Sequence, residues 1–310
     1  MRLFVFSTLP APVLAALRAG LPATTEVVYG PELATVQQLA EFQRADVLFG
    51  NPPPGWLAGE LPQLKLWQLD SAGFDRYQGL AVATTVANMG DYFAWPCAET
   101  MVAGLLAFYR ALPELVRLQA EGRWVGAPIR ARMGLLRHKR VVILGAGAIG
   151  QAVRQQLSGF GCAVQLLART DPQAQLHSRA DLLAALPHTD IVVNCLPGSA
   201  DKFFSAELFE ALPPGSLYAS VGRGNTTDEA ALLANLQAGH LAGAILDVTA
   251  TEPLPAEHPF WAMPQVLLTQ HTGGGQPTEA EGKVAQLLRN LHRLQAGQPL
   301  ENVVSLAQGY

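Results

Sequence analysis

Three residues far apart in this 310-residue chain have the types and surroundings that acid–base work on a small acid requires. Arg223 stands between Gly222 and Gly224, Glu252 lies in the stretch TEPLP, and His271 precedes Gly273-Gly274-Gly275. A guanidinium binds a carboxylate through two parallel hydrogen bonds while polarising an adjacent ketone oxygen. The flanking glycines are expected to open the backbone around it. A carboxylate hydrogen-bonded to one imidazole nitrogen orients the ring and favours its protonated form, and Pro253 and Pro255 stiffen the loop that carries Glu252. An imidazole so held can donate a proton to a developing alkoxide. Glycines 273–275 are expected to let backbone or substrate come close. Together these groups suit reduction of a 2-oxo acid. Each has a plainer alternative: an exposed turn arginine, an ordinary loop acid, a structural histidine. A hydrolase is disfavoured, since no GxSxG or other nucleophile arrangement accompanies His271.

The elements that must position these groups are six short apolar runs. RVVILG (140–145) leads into GAGAIG, AVQLLA (163–168) into Arg169-Thr170, and IVVNCL (191–196) into Pro197-Gly198. SLYASV (216–221) leads into Gly222-Arg223-Gly224, GAILDV (243–248) into Thr249 to Pro253, and QVLLTQ (265–270) into His271. In a doubly wound parallel sheet, ligands bind just beyond the carboxyl ends of the strands, so all these residues are expected along one crevice. The other histidines fall elsewhere: His138, His188 and His240 precede strands, His177 and His258 lie in loops, and His292 lies on a polar helix face.

GAGAIG is a weak motif alone and gains weight from the strand before it and the helix-like run after it. Gly145 permits the tight turn, Gly147 lets backbone approach a pyrophosphate, and Gly150 lets the helix pack on the strand. Ala148 and Ile149 open that helix, whose N-terminal N–H groups face the phosphates, and Leu196-Pro197 end the third run at the same edge. An NAD site usually places Asp or Glu at the end of the second strand. Here Ala168-Arg169-Thr170 occupy that place. A 2′-phosphate can meet the Arg169 fork and the Thr170 hydroxyl, which favours NADP(H). Asp171 nearby keeps NAD(H) as an alternative, and the plainer reading of Arg169 is a solvated loop cation.

The chain's length suits two domains, and nearly half its residues are apolar, as in a globular protein. A formal charge of −4 without a basic cluster argues against nucleic acid as the main partner. Cys97, Cys162 and Cys195 lack zinc-site or disulfide-framework spacing, and no secretory or membrane-spanning run is evident, so a reduced cytoplasmic location is expected. The first ~95 residues alternate strand-like runs (RLFVFS, TEVVYG, DVLFG, LKLWQLD, VATTVAN) with helical ones (PVLAALRAG, VQQLAEFQRA). A long apolar helix is expected over 99–111 and a last helix over 279–296, with 300–304 returning to the first domain. The stretch 112–139 reads as irregular and locally basic, a solvated excursion rather than a phosphate site. The expected fold is α/β with two domains. A Rossmann-type doubly wound parallel sheet (96–278) is inserted into a flavodoxin-like substrate domain (1–95 and 279–310).

LDSAGFD (69–75), AET (98–100), GAGAIG, VGRG (221–224), GAILDV followed by EPLP (252–255), and TQH (269–271) together resemble the D-isomer-specific 2-hydroxyacid dehydrogenase family across nearly the whole chain. The resemblance implies that Arg223, Glu252 and His271 are catalytic and that Ser71, Ala72 and Gly73 offer backbone contacts to the substrate carboxylate. It also implies that Asp247 lies near the nicotinamide carboxamide, its plainer role being a strand-end cap. Within the family the chain looks most like short glyoxylate/hydroxypyruvate reductases that use NADPH, and a homodimer is implied. Alternatives are an NAD-linked dehydrogenase of longer D-hydroxy acids and a nicotinamide-sensing interaction protein. Gln270 stands where the family commonly has proline, and Ser220 where asparagine is frequent. Trp56, Trp67, Trp95 and Tyr92 are read as core residues first and pocket residues second.

Overall fold

The computed structural model describes residues 1–59 and 61–307. The chain forms two compact units, Met1–Tyr92 with the chain from Gln276 onward, and Phe93–Gly275. Both breaks fall three residues before those read from the sequence, and at the first of them the helix that opens the second unit starts earlier than expected.

In the first unit, β1 (Arg2–Val5), α1 (Ala11–Ala19), β2 (Glu26–Tyr29), α2 (Thr35–Phe42), β3 (Val47–Phe49), β4 (Leu66–Gln68) and β5 (Thr85–Ala87) follow one another. The strands pair in parallel in the order β2-β1-β3-β4-β5, the flavodoxin-like order. Alternate strand residues serve two cores. Leu3, Val5 and Leu66 pack toward α1, whereas Phe4, Leu48 and Trp67 pack on the opposite face with Phe42 and Tyr77. Covering on both faces is what makes these short strands apolar throughout. Trp67 is wholly buried, edge-on to Tyr77 at 4.7 Å, and thus a core residue.

The second unit opens with α3 (Ala94–Tyr109). It starts five residues before the expected Glu99 because Pro96 sits in its first turn, where an N–H has no intrahelical partner to lose. The supposedly irregular stretch contains α4 (Leu112–Ala120) and the single turn α5 (Ala127–Arg130), each with proline at its start. Several cations in and just after it pair with acids: Arg123 with Glu121, Arg132 with Glu114, and Arg140 with Asp190.

Then come β6 (Arg140–Leu144), α6 (Ala148–Ser158), β7 (Ala163–Leu167), α7 (Arg179–Ala185), β8 (Ile191–Asn194), α8 (Ala206–Glu210), β9 (Ser216–Ser220), α9 (Glu229–Gln237), β10 (Leu241–Leu246) and β11 (Val266–Leu268). All six strands are parallel, in the order β7-β6-β8-β9-β10-β11. Beyond β7 the sheet continues, among the described residues, as a single bridge between Leu167 and Leu176, the trace of a Rossmann third strand. Strand order reverses between β6 and β8, so the turn after β6 lies at the topological switch point. Val141 and Ile143 pack on one face with α3 and α6, and Val142 and Leu144 on the other with α7, α8 and α9. Gly104 brings α3 close to the sheet: a Cβ there would lie 2.6 Å from Ile245 Cγ2.

The chain then returns to the first unit. Helix α10 (Glu279–Gln295) buries Val284, Leu287 and Leu291 in the α1 core, and β12 (Val303–Val304) pairs antiparallel with β5. Departure and return are neighbours: the Tyr92 hydroxyl donates to Thr278 O (3.1 Å) and Gln276 Nε2 donates to Tyr92 O (3.4 Å). Among the described residues no helix is long and apolar enough to cross a membrane.

Candidate active site

At the switch point, the Gly145 N–H donates to Leu167 O (2.9 Å), and Gly145 has φ +97°, a region closed to most side chains. Gly150, in the first turn of α6, faces it so closely that a Cβ would lie 2.1 Å from Gly145 O. Gly147 is the N-cap of α6, and a Cβ there would meet no described atom within 4 Å. No side chain caps α6 among the described residues, and its first turn carries no acid. Ala148, Ile149 and Gly150 thus begin a helix whose N-terminus is uncapped and whose Gly147 leaves room for a ligand. A dinucleotide's pyrophosphate fits both features.

Arg169 and Thr170 are exposed just past β7. Asp171, the nearby acid, accepts from Gln173 N through Oδ1 at 2.7 Å and so braces its own turn. After β8, Leu196 N donates to Asn194 Oδ1 (3.0 Å), which fixes the start of the Leu196-Pro197 segment.

The strand-end loops touch in series along one edge. A Cβ at Gly145 would lie 3.2 Å from Cys195 O, at Gly222 2.3 Å from Leu196 O, and at Gly224 1.9 Å from Thr249 O. Glycines 222 and 224 therefore do not open space around Arg223, contrary to the sequence reading. They let the loops after β8 and β10 close on the Arg223 segment. Arg223 itself is half-buried in extended backbone, with Nη1 donating to Gly222 O (2.8 Å).

Beneath it lies a buried polar network that sequence reasoning missed. Asn194 Nδ2 donates to the Tyr218 hydroxyl and to Thr226 Oγ1, both at 2.8 Å, and Thr226 Oγ1 donates to Arg223 O at 2.6 Å. Tyr218 and Thr227 oxygens are 2.6 Å apart, and burial pushes the Tyr218 phenol up to about 12. The available signal was Asn194, a polar residue closing the otherwise apolar run IVVN.

The series ends at Glu252 and His271. Glu252 Oε1 accepts from Thr249 N (3.0 Å) and Oε2 lies 2.6 Å from His271 Nδ1. An ionised carboxylate only accepts, so Nδ1 carries the hydrogen of that bond and Nε2 is the nitrogen left for a substrate. The pair borders a cavity of about 410 Å³ that Leu254, Trp261, Leu268 and Gln270 also line.

Asp247, buried at the end of β10, caps the turn bearing His271. Its Oδ1 accepts from Thr269 Oγ1 (2.6 Å), Thr272 N (3.1 Å) and Gly273 N (3.0 Å). The glycines at 273 and 274 are approached by side chains, not by backbone or an open substrate space: Cβ atoms there would lie 2.8 Å from Asp247 Oδ2 and 3.1 Å from the Phe93 ring. Gln270 has φ +53°, which proline cannot adopt. Burial pushes the Cys97 thiol up to about 12, with Asp247 adding to the shift and Arg223 opposing it.

In the first unit, Ser71, Ala72 and Gly73 follow β4. Ser71 O accepts from Met89 N (3.1 Å), Ala72 O from Asn88 Nδ2 (2.6 Å) and Gly73 O from Ser71 Oγ (2.6 Å). The carbonyls are engaged, whereas among the described residues no protein acceptor takes the three N–H groups.

Residues 102–273, more than half of the chain, match the family model described as D-isomer specific 2-hydroxyacid dehydrogenase, NAD binding domain. The chain belongs to this family. It is accordingly an NAD(P)-dependent oxidoreductase of the 2-hydroxyacid dehydrogenase class, whose cofactor unit contains the GAGAIG turn. Glyoxylate/hydroxypyruvate reductase A of Salmonella heidelberg (strain SL476) is 32% identical over 219 residues, 68% of each protein. Two solved dehydrogenase structures match the chain end to end. The D-isomer specific 2-hydroxyacid dehydrogenase of Xanthobacter autotrophicus Py2, in complex with NADPH and MES, has 29% identity and a TM-score of 0.82, covering 100% of this chain and 99% of that one. The NADPH-dependent glyoxylate/hydroxypyruvate reductase of Sinorhizobium meliloti, in complex with NADP and sulfate, has 25% identity and a TM-score of 0.84 over the same shares.

Proposed function

We propose that this dehydrogenase reduces a small 2-oxo acid of the glyoxylate or hydroxypyruvate kind to the D-2-hydroxy acid, with NADPH as preferred donor. The 2.6 Å contact between His271 Nδ1 and Glu252 carries the reading. It leaves Nε2 to deliver a proton to the carbonyl oxygen as that oxygen becomes an alkoxide. Bound NADPH supplies the hydride to the carbonyl carbon. Arg223 grips the substrate carboxylate and polarises the ketone. Ser71, Ala72 and Gly73 offer N–H donors suited to a carboxylate, and Asp247 faces the carboxamide of the cofactor.

Gly145, Gly147, Ala148, Ile149 and Gly150 hold the pyrophosphate, and Leu196 and Pro197 flank the cofactor. Arg169 and Thr170 bind the 2′-phosphate. In support, no acid occupies the end of β7, Asp171 is engaged in its own turn, and the two solved relatives carry NADPH or NADP. We further infer a cytoplasmic homodimer. Three free cysteines suit a reducing compartment, and Leu112, Val116, Trp124 and Leu135 expose apolar surface within one segment.

The test follows nicotinamide absorbance with a panel of 2-oxo acids and both reduced cofactors. Turnover is expected with small substrates, with a higher kcat/KM for NADPH, and both Arg223→Ala and His271→Ala should nearly abolish it. Absence of turnover across the panel, or wild-type rates in both variants, would overturn the assignment.

A further inference from the structure

Gln270 and His271 occupy the left-handed region consecutively, at φ +53° and +56°. Residues with a Cβ are disfavoured there, and two in succession persist only where surrounding structure over-determines the backbone. The surroundings here converge on one residue. Asp247 Oδ1 accepts from Thr269 before the pair and from Thr272 and Gly273 after it, while the Asp247 carbonyl accepts from His271 N at 2.6 Å. Asp247 is 4% exposed, so water competes weakly for these bonds. The other restraint on the ring, Glu252, has a side chain 36% exposed and itself depends on a loop.

We propose that Asp247 is the positioning residue for His271. Its carboxylate latches residues 269–273 so that the left-handed pair at 270–271 presents Nδ1 to Glu252, and in this chain position 270 holds a residue able to enter that region. The assignment rests on the reading of His271 as proton donor, and it goes beyond a cofactor contact for Asp247.

Two readouts test it. Long-range ¹H–¹⁵N spectra of histidine-labelled protein, with the His271 signal assigned through His271→Gln, report which ring nitrogen carries hydrogen in the neutral ring. This measurement needs no turnover and so remains decisive even if 2-oxo acids are not the substrates. Wild type and Gln270→Gly should show hydrogen on Nδ1. Gln270→Pro and Asp247→Ala should lose that preference, because a misaimed ring no longer meets Glu252. In steady-state kinetics, Gln270→Pro and Asp247→Ala should lose about 100-fold, the scale of an ångström's misplacement, and Gln270→Gly, which can enter the same backbone region, should lose at least about tenfold less. Asp247→Asn, which keeps an acceptor oxygen, should lose about tenfold less than Asp247→Ala. The dissociation constant of NADPH should stay within about twofold in the Gln270 variants, whereas Asp247→Ala also loses its contact with the cofactor, so its kcat is read at saturating NADPH. Thr269→Val, which deletes one bond, serves should Asp247→Ala fail to fold, and should lower kcat with KM unchanged. Wild-type spectra and kcat in Gln270→Pro would overturn the proposal. So would an Asp247→Ala enzyme with weakened NADPH binding but intact kcat at saturation.

Discussion

Replacing Gly147 and Gly150 separately by alanine should separate two uses of one glycine-rich turn. At Gly150 the new methyl would sit 2.1 Å from the Gly145 carbonyl oxygen, so α6 or the turn must move. Overpacking of this kind costs about 1–3 kcal/mol, which for a unit of this size lowers Tm by roughly 3–10 °C. At Gly147 the methyl meets no described atom within 4 Å, and the backbone (φ −69°, ψ −176°) is open to alanine. The loss of a favourable N-cap residue, under about 1 kcal/mol, is offset by the ~0.4–1 kcal/mol that alanine contributes by restricting the unfolded chain. Tm should then move little. The same methyl occupies space assigned to the pyrophosphate, and NADPH should bind at least about tenfold more weakly, about 1.4 kcal/mol. Differential scanning calorimetry and titration of dihydronicotinamide fluorescence give both quantities. A Gly147→Ala protein that binds NADPH like wild type would refute the phosphate cradle, and an undiminished Tm in Gly150→Ala would refute the packing account.

Arg169→Ala should weaken NADPH at least about tenfold while leaving NADH nearly unchanged, measured as kcat/KM for each, since one charge-assisted fork is removed. Asn194→Ala removes a fully buried amide from Tyr218, Thr226 and Leu196 and should cost roughly 2–4 kcal/mol, read as a lower urea midpoint at constant m, with loss of activity because the Arg223 segment loosens. Burial raises the Cys97 thiol and the Tyr77 and Tyr218 phenols to about 12, above ordinary values of 9.0 and 10.0. Groups raised in the folded state favour folding fully below their unfolded values and lose that contribution as pH climbs toward the folded ones. The urea midpoint should hold to about pH 8.5 and fall between about pH 9 and 12; a constant midpoint at about pH 10.5 would contradict this.

Much of the second unit was legible because its strands are covered on both faces and therefore read as unbroken apolar runs. Each run overshot its strand by a residue or two, since Gly145, Cys195 and Gln270 already turn toward the ligand edge. The helix α3 starts five residues before the expected Glu99, and Pro96 is tolerated there because a first-turn proline loses no bond. The contact between Glu252 and His271 was legible from strand ends. What escaped was mutual support: which neighbour each glycine accommodates, and the bonds that Asn194 and Asp247 make to residues tens of positions away. Those depend on register between non-adjacent segments, which no local pattern encodes.

Tyr92 and Gln276, hydrogen-bonded side by side, mark where the chain leaves one sheet system and rejoins it. Everything between them is a single uninterrupted stretch carrying its own core. Such a layout makes the nucleotide half a removable cassette. A short peptide joining those two positions would close the remaining half into a continuous polypeptide, and the excised portion could be grafted between equivalent ends of another acid-recognising scaffold.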